Sequence, residues 1–170
     1  MYIRSIFINL ISIILFIHIA YSKDSIIYSD YLSTDENKNI IAKGNVKILH
    51  GDQILTTDNL YIDEENNKII LTDKFTYKDE MGNYYYGSKG EFSKDFYSAT
   101  IHDFSFVGSD KIRLRGVKGI KKGNIDIVEK AVITPCKTIK FFNCPLWQIK
   151  AQKIVHDKNE YMIYQKNSRM

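Results

Sequence analysis

Apolar and polar residues alternate in short runs along most of this chain. Val46 and Ile48 flank Lys47, and the same pattern recurs as far as Ile125 and Ile127. A period of two residues predicts β-strands, because successive side chains of a strand point to opposite faces. Helical spacing is not sustained for more than a turn or two. β-branched and aromatic residues, which strands favour, fill the runs.

Turn-forming residues separate these runs at fairly even intervals. The segments that carry this signal are 35–37, 50–52, 65–67, 81–83, 108–110 and 122–124. Short strands with such regular turns predict an all-β sandwich, barrel or roll. Strands do not alternate with helices in the pattern, so a parallel α/β sheet is disfavoured.

Residues 37–63 and 66–94 resemble one another. Ile40-Ile41 matches Ile69-Ile70, and the second copy is longer by two residues that fall within its turn at 79–83. A repeated hairpin tolerates an insertion in its turn. The repeat therefore predicts stacked supersecondary units that share one apolar face.

The first 22 residues have the layout of a secretory signal. Arg4 precedes a largely apolar run from Ile6 to Ala20, and Ala20 and Ser22 have the small side chains of a cleavage site. The run is short for a membrane span, which needs about 20 apolar residues, although an uncleaved anchor is the alternative. We expect an exported protein with one domain over 24–134 and a distinct tail over 135–170.

The composition argues against several functions. The net charge of +4 is too small to indicate a nucleic-acid partner. The four histidines lack the spacing of metal ligands, and the best interpretation of each outside the signal is a surface or turn position. Motifs of hydrolases, metalloproteases or phosphate-binding loops are absent from the sequence. We predict no enzymatic activity, no catalytic residue, no metal and no cofactor.

Cys136 and Cys144 are the only cysteines. Exported proteins meet oxidising conditions, so both are disulfide candidates. Pairing with each other would close a short loop worth about 2.5 kcal/mol on the chain-entropy estimate. Pairing with cysteines elsewhere and two reduced thiols are the alternatives, and the sequence leaves them open.

Two further features have both a functional and a structural interpretation. Lys111, Arg113 and Arg115 would share one strand face and could meet the phosphates of a lipid headgroup, or could simply face solvent. The apolar face could be a closed core, or could stay open enough to hold acyl chains.

Particular motifs point to a known family. Residues 42–46 (AKGNV), 51–58 (GDQILTTD) and 61–63 (YID) resemble the repeat of the periplasmic lipopolysaccharide-transport family. The tail, with 133–136 (ITPC) and 144–151 (CPLWQIKA), is similar to the junction between the N-terminal domain and the barrel of the outer-membrane assembly proteins of LptD type. The Cys-Pro-x-Trp-x-Ile-x-Ala run is the most specific part of this resemblance.

This resemblance implies an open β-jellyroll in the periplasm, associated with the outer membrane, with lipopolysaccharide acyl chains in its interior. Its implied partners are lipopolysaccharide and an LptA-like bridge protein docked end to end. A separately encoded barrel with its LptE-like plug is a further candidate partner. It also implies a long-range disulfide from the position of Cys136. The predicted lipid-binding residues are Val46, Ile48, Ile54, Leu60, Ile62, Ile69, Leu71, Phe75, Tyr77, Phe104, Phe106, Ile112 and Leu114.

Rival hypotheses follow from the same sequence. The chain ends six residues after Tyr164, whereas a membrane barrel needs at least about eight strands, so we expect this sequence to be a fragment of a longer protein, one product of a split gene, or a truncated remnant. A module that docks a partner by strand addition without lipid is one rival. A lectin-like sandwich that uses Tyr84-Tyr85-Tyr86 is another, and a non-functional truncated remnant is a third.

Overall fold

A computed structural model describes residues 24–109, 111–135 and 147–170. Within these residues every regular element is a strand, and no helix long and apolar enough to cross a membrane occurs among them. The strands are β1 Ser25–Tyr28, β2 Tyr31–Thr34, β3 Ile40–His50, β4 Gln53–Asp63, β5 Lys68–Leu71, β6 Phe75–Lys78, β7 Tyr84–Gly87, β8 Lys89–Ser93, β9 Ser98–Val107, β10 Arg113–Lys122, β11 Ile125–Thr134, β12 Ile149–Asp157 and β13 Met162–Arg169.

The described strands form one antiparallel sheet of 13 strands. Its main path runs β1-β3-β4-β5-β8-β9-β10-β11-β12-β13, with β2 paired to β3. β5 and β6 pair with successive parts of the long strand β4, and β7 and β8 pair with successive parts of the long strand β9. The path begins at β1 and ends at β13, so the sheet is open. This confirms the predicted all-β, open jellyroll.

The predicted repeat is part of a longer series. β3–β4 and β5/β6–β7/β8 are the two predicted hairpins, and their turns at 51–52 and 79–83 hold the length difference. The antiparallel pairs β9–β10 and β11–β12 continue the stack. The internal repeat found in the sequence did not include these two later pairs of strands. β12 and β13 lie in the segment assigned to the junction, and they extend the same sheet.

The strands bend at a row of mid-strand irregularities. β3 carries a bulge between Lys43 and Val46, where Asn45 has a positive φ of 48°. Asp103 in β9, Lys130 in β11 and Asn167 in β13 also have positive φ, at 51°, 48° and 52°. Bulges and left-handed residues bend a strand locally. The row divides each long strand into two segments and lets the sheet fold on itself.

Two layers face each other across this bend. The front layer contains residues 46–57, 75–87 and 104–115, and the back layer contains 60–71, 89–102 and 118–129. Contacts between residues far apart in the strand order show the folding: the rings of Tyr77 and Phe96 stack with centroids 5.4 Å apart, and Tyr85 reaches Asp126. The apolar faces of both layers therefore form one interior.

Candidate functional site

The interior of the roll is apolar and closely filled. Its members combine aliphatic side chains with an aromatic group centred on Tyr77, Tyr85 and Phe92. Gly119 shows how tight the packing is, since a methyl group there would overlap the ring of Phe104. Burying one large apolar side chain contributes about 1.5–3 kcal/mol, so this interior dominates the stability of the fold.

The two layers meet along the edge opposite the bend. We call residues 50–53 and 79–83 the front lip, and residues 94–97, 121–124 and 156–159 the back lip. Residues from both lips, including Met81, Tyr97 and Asn159, line one hollow of about 430 Å³. Backbone hydrogen bonds connect the turns along the back lip, such as Gly123 N to Tyr97 O at 2.7 Å and Lys158 N to Asn124 O at 3.0 Å.

Side chains make the contacts between the lips. Lys158 of the back lip donates a hydrogen bond of 2.6 Å to the Tyr85 hydroxyl of the front layer. Its ammonium also lies 3.2 Å from Asp126 and 3.9 Å from Asp79. The Tyr85 hydroxyl lies 3.3 Å from oxygens of both carboxylates. We call Asp79, Tyr85, Asp126 and Lys158 the polar cluster.

The polar cluster is buried among aromatic side chains. Asp126 is 0% exposed and Lys158 is 8% exposed. The Lys158 ammonium lies 5.3 Å from the Tyr85 ring centroid and 5.9 Å from that of Phe106. Burial, reinforced by the two carboxylates, raises the pKa of Tyr85 well above its usual value, so the hydroxyl stays protonated.

Two neighbouring groups extend this buried polar region. His156, which the sequence analysis assigned to a surface or turn, is 6% exposed, and its Nδ1 lies 3.6 Å from Asp126. Lys121 donates to the carbonyls of Phe96 and Gly123 at 3.1 Å each. Burial and the nearby Lys158 lower the pKa of Lys121, and the carboxylates of Asp126, Asp79 and Asp95 oppose this.

Comparison with known proteins identifies the family. The family described as "LptA/(LptD N-terminal domain) LPS transport protein" matches residues 26–162. The chain belongs to this family. Its members are transport domains and not enzymes, in agreement with the prediction that no catalysis occurs. The LPS-transport part of the predicted function is likewise confirmed.

A solved structure and the curated proteins add less. The chain resembles LptH from Pseudomonas aeruginosa, described as the LptA homologous periplasmic component of the conserved lipopolysaccharide transport device. The identity is 14%, the match covers 84% of this chain and 82% of LptH, and the TM-score is 0.31. Such a loose superposition carries no argument about function. None of the curated proteins matches.

Most of the predicted lipid-binding residues of this LptA/LptD-type chain lie in the interior. Eleven of the thirteen belong to the buried cluster, and Ile112 packs against it. Ile54 is the exception: it is only half-buried, and Leu55 takes the inner position at 0% exposed. The inner parity changes along β4 between Thr57 and Leu60, at the bend. The prediction that Ile54 faces the interior is therefore wrong, because it assumes unbroken alternation along β4.

The structure also brings in residues that the prediction omitted. The missed apolar residues of the same cluster are Ala42, Leu55, Tyr85, Phe92, Phe96, Ala99, Ile101, Val128, Ala131, Ile133, Ala151 and Ile154. Most lie on strands whose alternation is visible in the sequence. Extending the repeat to the pairs β9–β10 and β11–β12 would have identified several of them. The polar cluster had no sequence signal, because its four members come from distant turns and strands.

The predicted basic row faces away from the interior. Leu114 is fully buried, whereas Lys111 and Arg115 are exposed and Arg113 is half-buried. Lys111 follows the β9–β10 turn, which contacts the front lip through Ser109 N and Asn83 Oδ1 at 3.0 Å. Cys136 and Cys144 lie outside the described residues. Within those residues, acidic and histidine side chains form no grouping suited to a metal ion.

Proposed function

We propose that this domain binds lipopolysaccharide in the periplasm and passes it on, with the acyl chains held between the two layers. The continuous apolar interior along all four hairpins supports this role. Acyl chains are apolar and flexible, so a continuous buried surface of aliphatic and aromatic groups offers them a favourable environment. Lipid entry requires the layers to separate, because the interior side chains are packed closely in this structure.

Site-specific crosslinking tests the lipid track. A photo-crosslinking amino acid at Ile48, which is 1% exposed, should capture lipopolysaccharide in cells. The same group at the neighbouring Lys47, which faces outwards on β3, is the matched control and should capture little. Equal capture at both positions would contradict an interior track.

A charged substitution provides a second test. Ile62→Asp should abolish capture at Ile48, since a buried carboxylate opposes apolar ligands. Circular dichroism must first show that the variant remains folded, and cell fractionation must show that it is exported. Capture that survives several such interior substitutions in folded variants would refute the lipid track, and partner binding without capture would favour the docking module.

The finer assignment is to the LptD type rather than the LptA bridge. The Cys-Pro-x-Trp-x-Ile-x-Ala run at 144–151 supports this assignment. We propose that Cys136 or Cys144 forms a disulfide with an outer-membrane barrel protein, and that an LptA-like bridge adds its strand to an edge of the sheet. Non-reducing electrophoresis of cell envelopes should show a larger species that disappears in Cys136→Ser or Cys144→Ser. Its absence in the parent would favour an unlinked or bridge-type domain.

The basic row has a proposed role beside the lipid track. Lys111, Arg113 and Arg115 would contact phosphates of a headgroup that projects past the front lip. Replacing all three by Gln should weaken capture at Ile48 and make it less sensitive to salt, as expected for lost phosphate contacts. Unchanged capture and salt dependence would leave the row as a solvated strand face.

A further inference from the structure

We propose that the polar cluster of Asp79, Tyr85, Asp126 and Lys158 is a latch that holds the lips closed and must open before acyl chains enter. This inference rests on the proposed lipid function. The cluster spans the edge where the layers meet through side chains. Lys158 from the back lip contacts Tyr85 at 2.6 Å and Asp79 at 3.9 Å on the front side.

The chemistry of the cluster suits a reversible closure. Buried ion pairs contribute little net stability compared with well-packed apolar side chains, because their desolvation offsets their attraction. When the lips separate, water solvates the freed ammonium and carboxylates and compensates for the lost contacts. An aliphatic closure would instead expose apolar surface to water. A charged closure therefore opens at a lower cost than the surrounding interior.

The position of the cluster also suits this role. Its members lie in or next to turns at 79–83, 123–124 and 158–161, away from the bend where the strands are continuous. Phe96 closes the neighbouring part of the edge by stacking on Tyr77 at 5.4 Å. Acyl chains bind only between separated layers, so lipid shifts the population towards the open form by its differential affinity.

Distance measurements test the latch directly. Spin labels are placed at Met81→Cys on the front lip and Asn159→Cys on the back lip, in a chain with Cys136→Ser and Cys144→Ser. The matched control pair is Tyr97→Cys with Asn159→Cys, both on the back lip. Adding purified lipopolysaccharide should lengthen the first distance and leave the second unchanged.

Parallel capture at Ile48 separates the two proposals. Capture together with lip separation supports the latch. Capture without any change in the Met81–Asn159 distance overturns the latch and leaves the lipid function standing. Absence of capture overturns the lipid function and, with it, the latch.

Weakening and locking the latch give opposite expectations. Tyr85→Phe removes the hydroxyl that bridges Lys158 and Asp126, and should raise the capture rate about tenfold, as expected for one lost hydrogen bond to a charged group. Tyr164→Phe, which removes an exposed hydroxyl bonded to Glu160, is the control and should change nothing.

A bismaleimide bridge between the Met81→Cys and Asn159→Cys positions should prevent capture, whereas a bridge within the back lip should not. Capture through bridged lips would refute the latch.

Discussion

Two turns in this molecule have the same internal chemistry and different surroundings. In the first, Asp35 Oδ1 accepts from the backbone N–H of Asn39 at 2.9 Å and Oδ2 accepts from its side-chain amide at 3.0 Å. In the second, Asp79 accepts the same two bonds from Asn83, each at 2.9 Å. In each turn the residue before the asparagine, Lys38 or Gly82, has a positive φ.

The correspondence extends beyond the turns. Each asparagine Oδ1 accepts a backbone N–H from a neighbouring turn at 3.0 Å, from Glu64 or from Ser109. A tyrosine hydroxyl approaches each aspartate, at 3.5 Å for Tyr61 and 3.3 Å for Tyr85. The difference is that the Asp79 turn faces Lys158 and Asp126 across the closing edge. One local motif thus serves as a turn in one place and as part of a buried cluster in another.

The largest expected difference between the turns concerns the aspartates. Asp79→Ala should lower the free energy of unfolding by about 3–5 kcal/mol, because it removes a carboxylate from a buried charge cluster and leaves the backbone N–H and side-chain amide of Asn83 without the acceptor that Asp79 provides. Asp35→Ala should cost clearly less, since no buried cation depends on it. Urea unfolding followed by circular dichroism measures both, and equal losses would show that the surroundings of Asp79 add nothing.

A smaller difference is expected for the tyrosines. Tyr85→Phe should cost about 1.5–3 kcal/mol, because its hydroxyl accepts from Lys158 and contacts two carboxylates. Tyr61→Phe removes only a 3.5 Å contact with Asp35 and should have little effect. The same unfolding experiment decides the point, and a larger loss for Tyr61→Phe would reverse the comparison.

The asparagines should behave alike. Asn39 and Asn83 are 6% and 4% exposed and make equivalent hydrogen bonds. Replacing either by alanine should cost about 1–3 kcal/mol, because it removes the side-chain amide that donates to the aspartate and the oxygen that accepts a backbone N–H from the neighbouring turn. If the two losses differ widely, the turns are not energetically equivalent, and their shared geometry is misleading.

The smallest effect is expected in the pH dependence of stability. Burial raises the pKa of Tyr85 in the folded protein, whereas in the unfolded chain the hydroxyl has its ordinary pKa of 10.0. The contribution of Tyr85 to the free energy of unfolding is therefore complete below pH 10.0. It is lost as the pH rises further, because the hydroxyl ionises first in the unfolded chain. Tyr85→Phe should flatten the fall in stability above pH 10. The lowered pKa of Lys121 acts in the opposite direction near 10.5, and it is present in both proteins, so it cancels in the comparison.

The Asp35 turn should show its contribution at acid pH instead. The side-chain amide of Asn39, with backbone N–H groups, lowers the pKa of Asp35 below 3.8. That contribution is present above 3.8 and is lost as pH falls through the lower, folded value. Asp35→Asn should therefore flatten the acid limb. Desolvation, followed by the nearby Asp35 carboxylate, raises the pKa of Tyr61, so Asp35→Asn should also change the alkaline limb by a smaller amount. An acid limb that Asp35→Asn leaves unchanged would contradict this contribution of Asp35.

The sequence by itself determined the all-β class, the hairpin repeat and most of the interior residues. Alternation is a local property of strands, and one apolar face must be buried wherever the pattern persists, as for Val46, Ile48 and Leu114. The family resemblance came from short motifs that remain contiguous in the chain. Where the inner parity changed at the bend, as along β4 between Ile54 and Leu60, local alternation failed.

Only the tertiary structure decided how the layers meet. Asp79, Tyr85, Asp126 and Lys158 are far apart in the chain, and nothing in their local sequences distinguishes them from surface residues. Their contact depends on the bend at Asn45 and at the equivalent positions of the other strands. Only all of these local bends together bring the two layers of the sheet face to face. The edge where the two lips meet is formed by turns that are distant in the chain. Residues so far apart leave no periodic pattern in the sequence, so this edge could not be predicted from it.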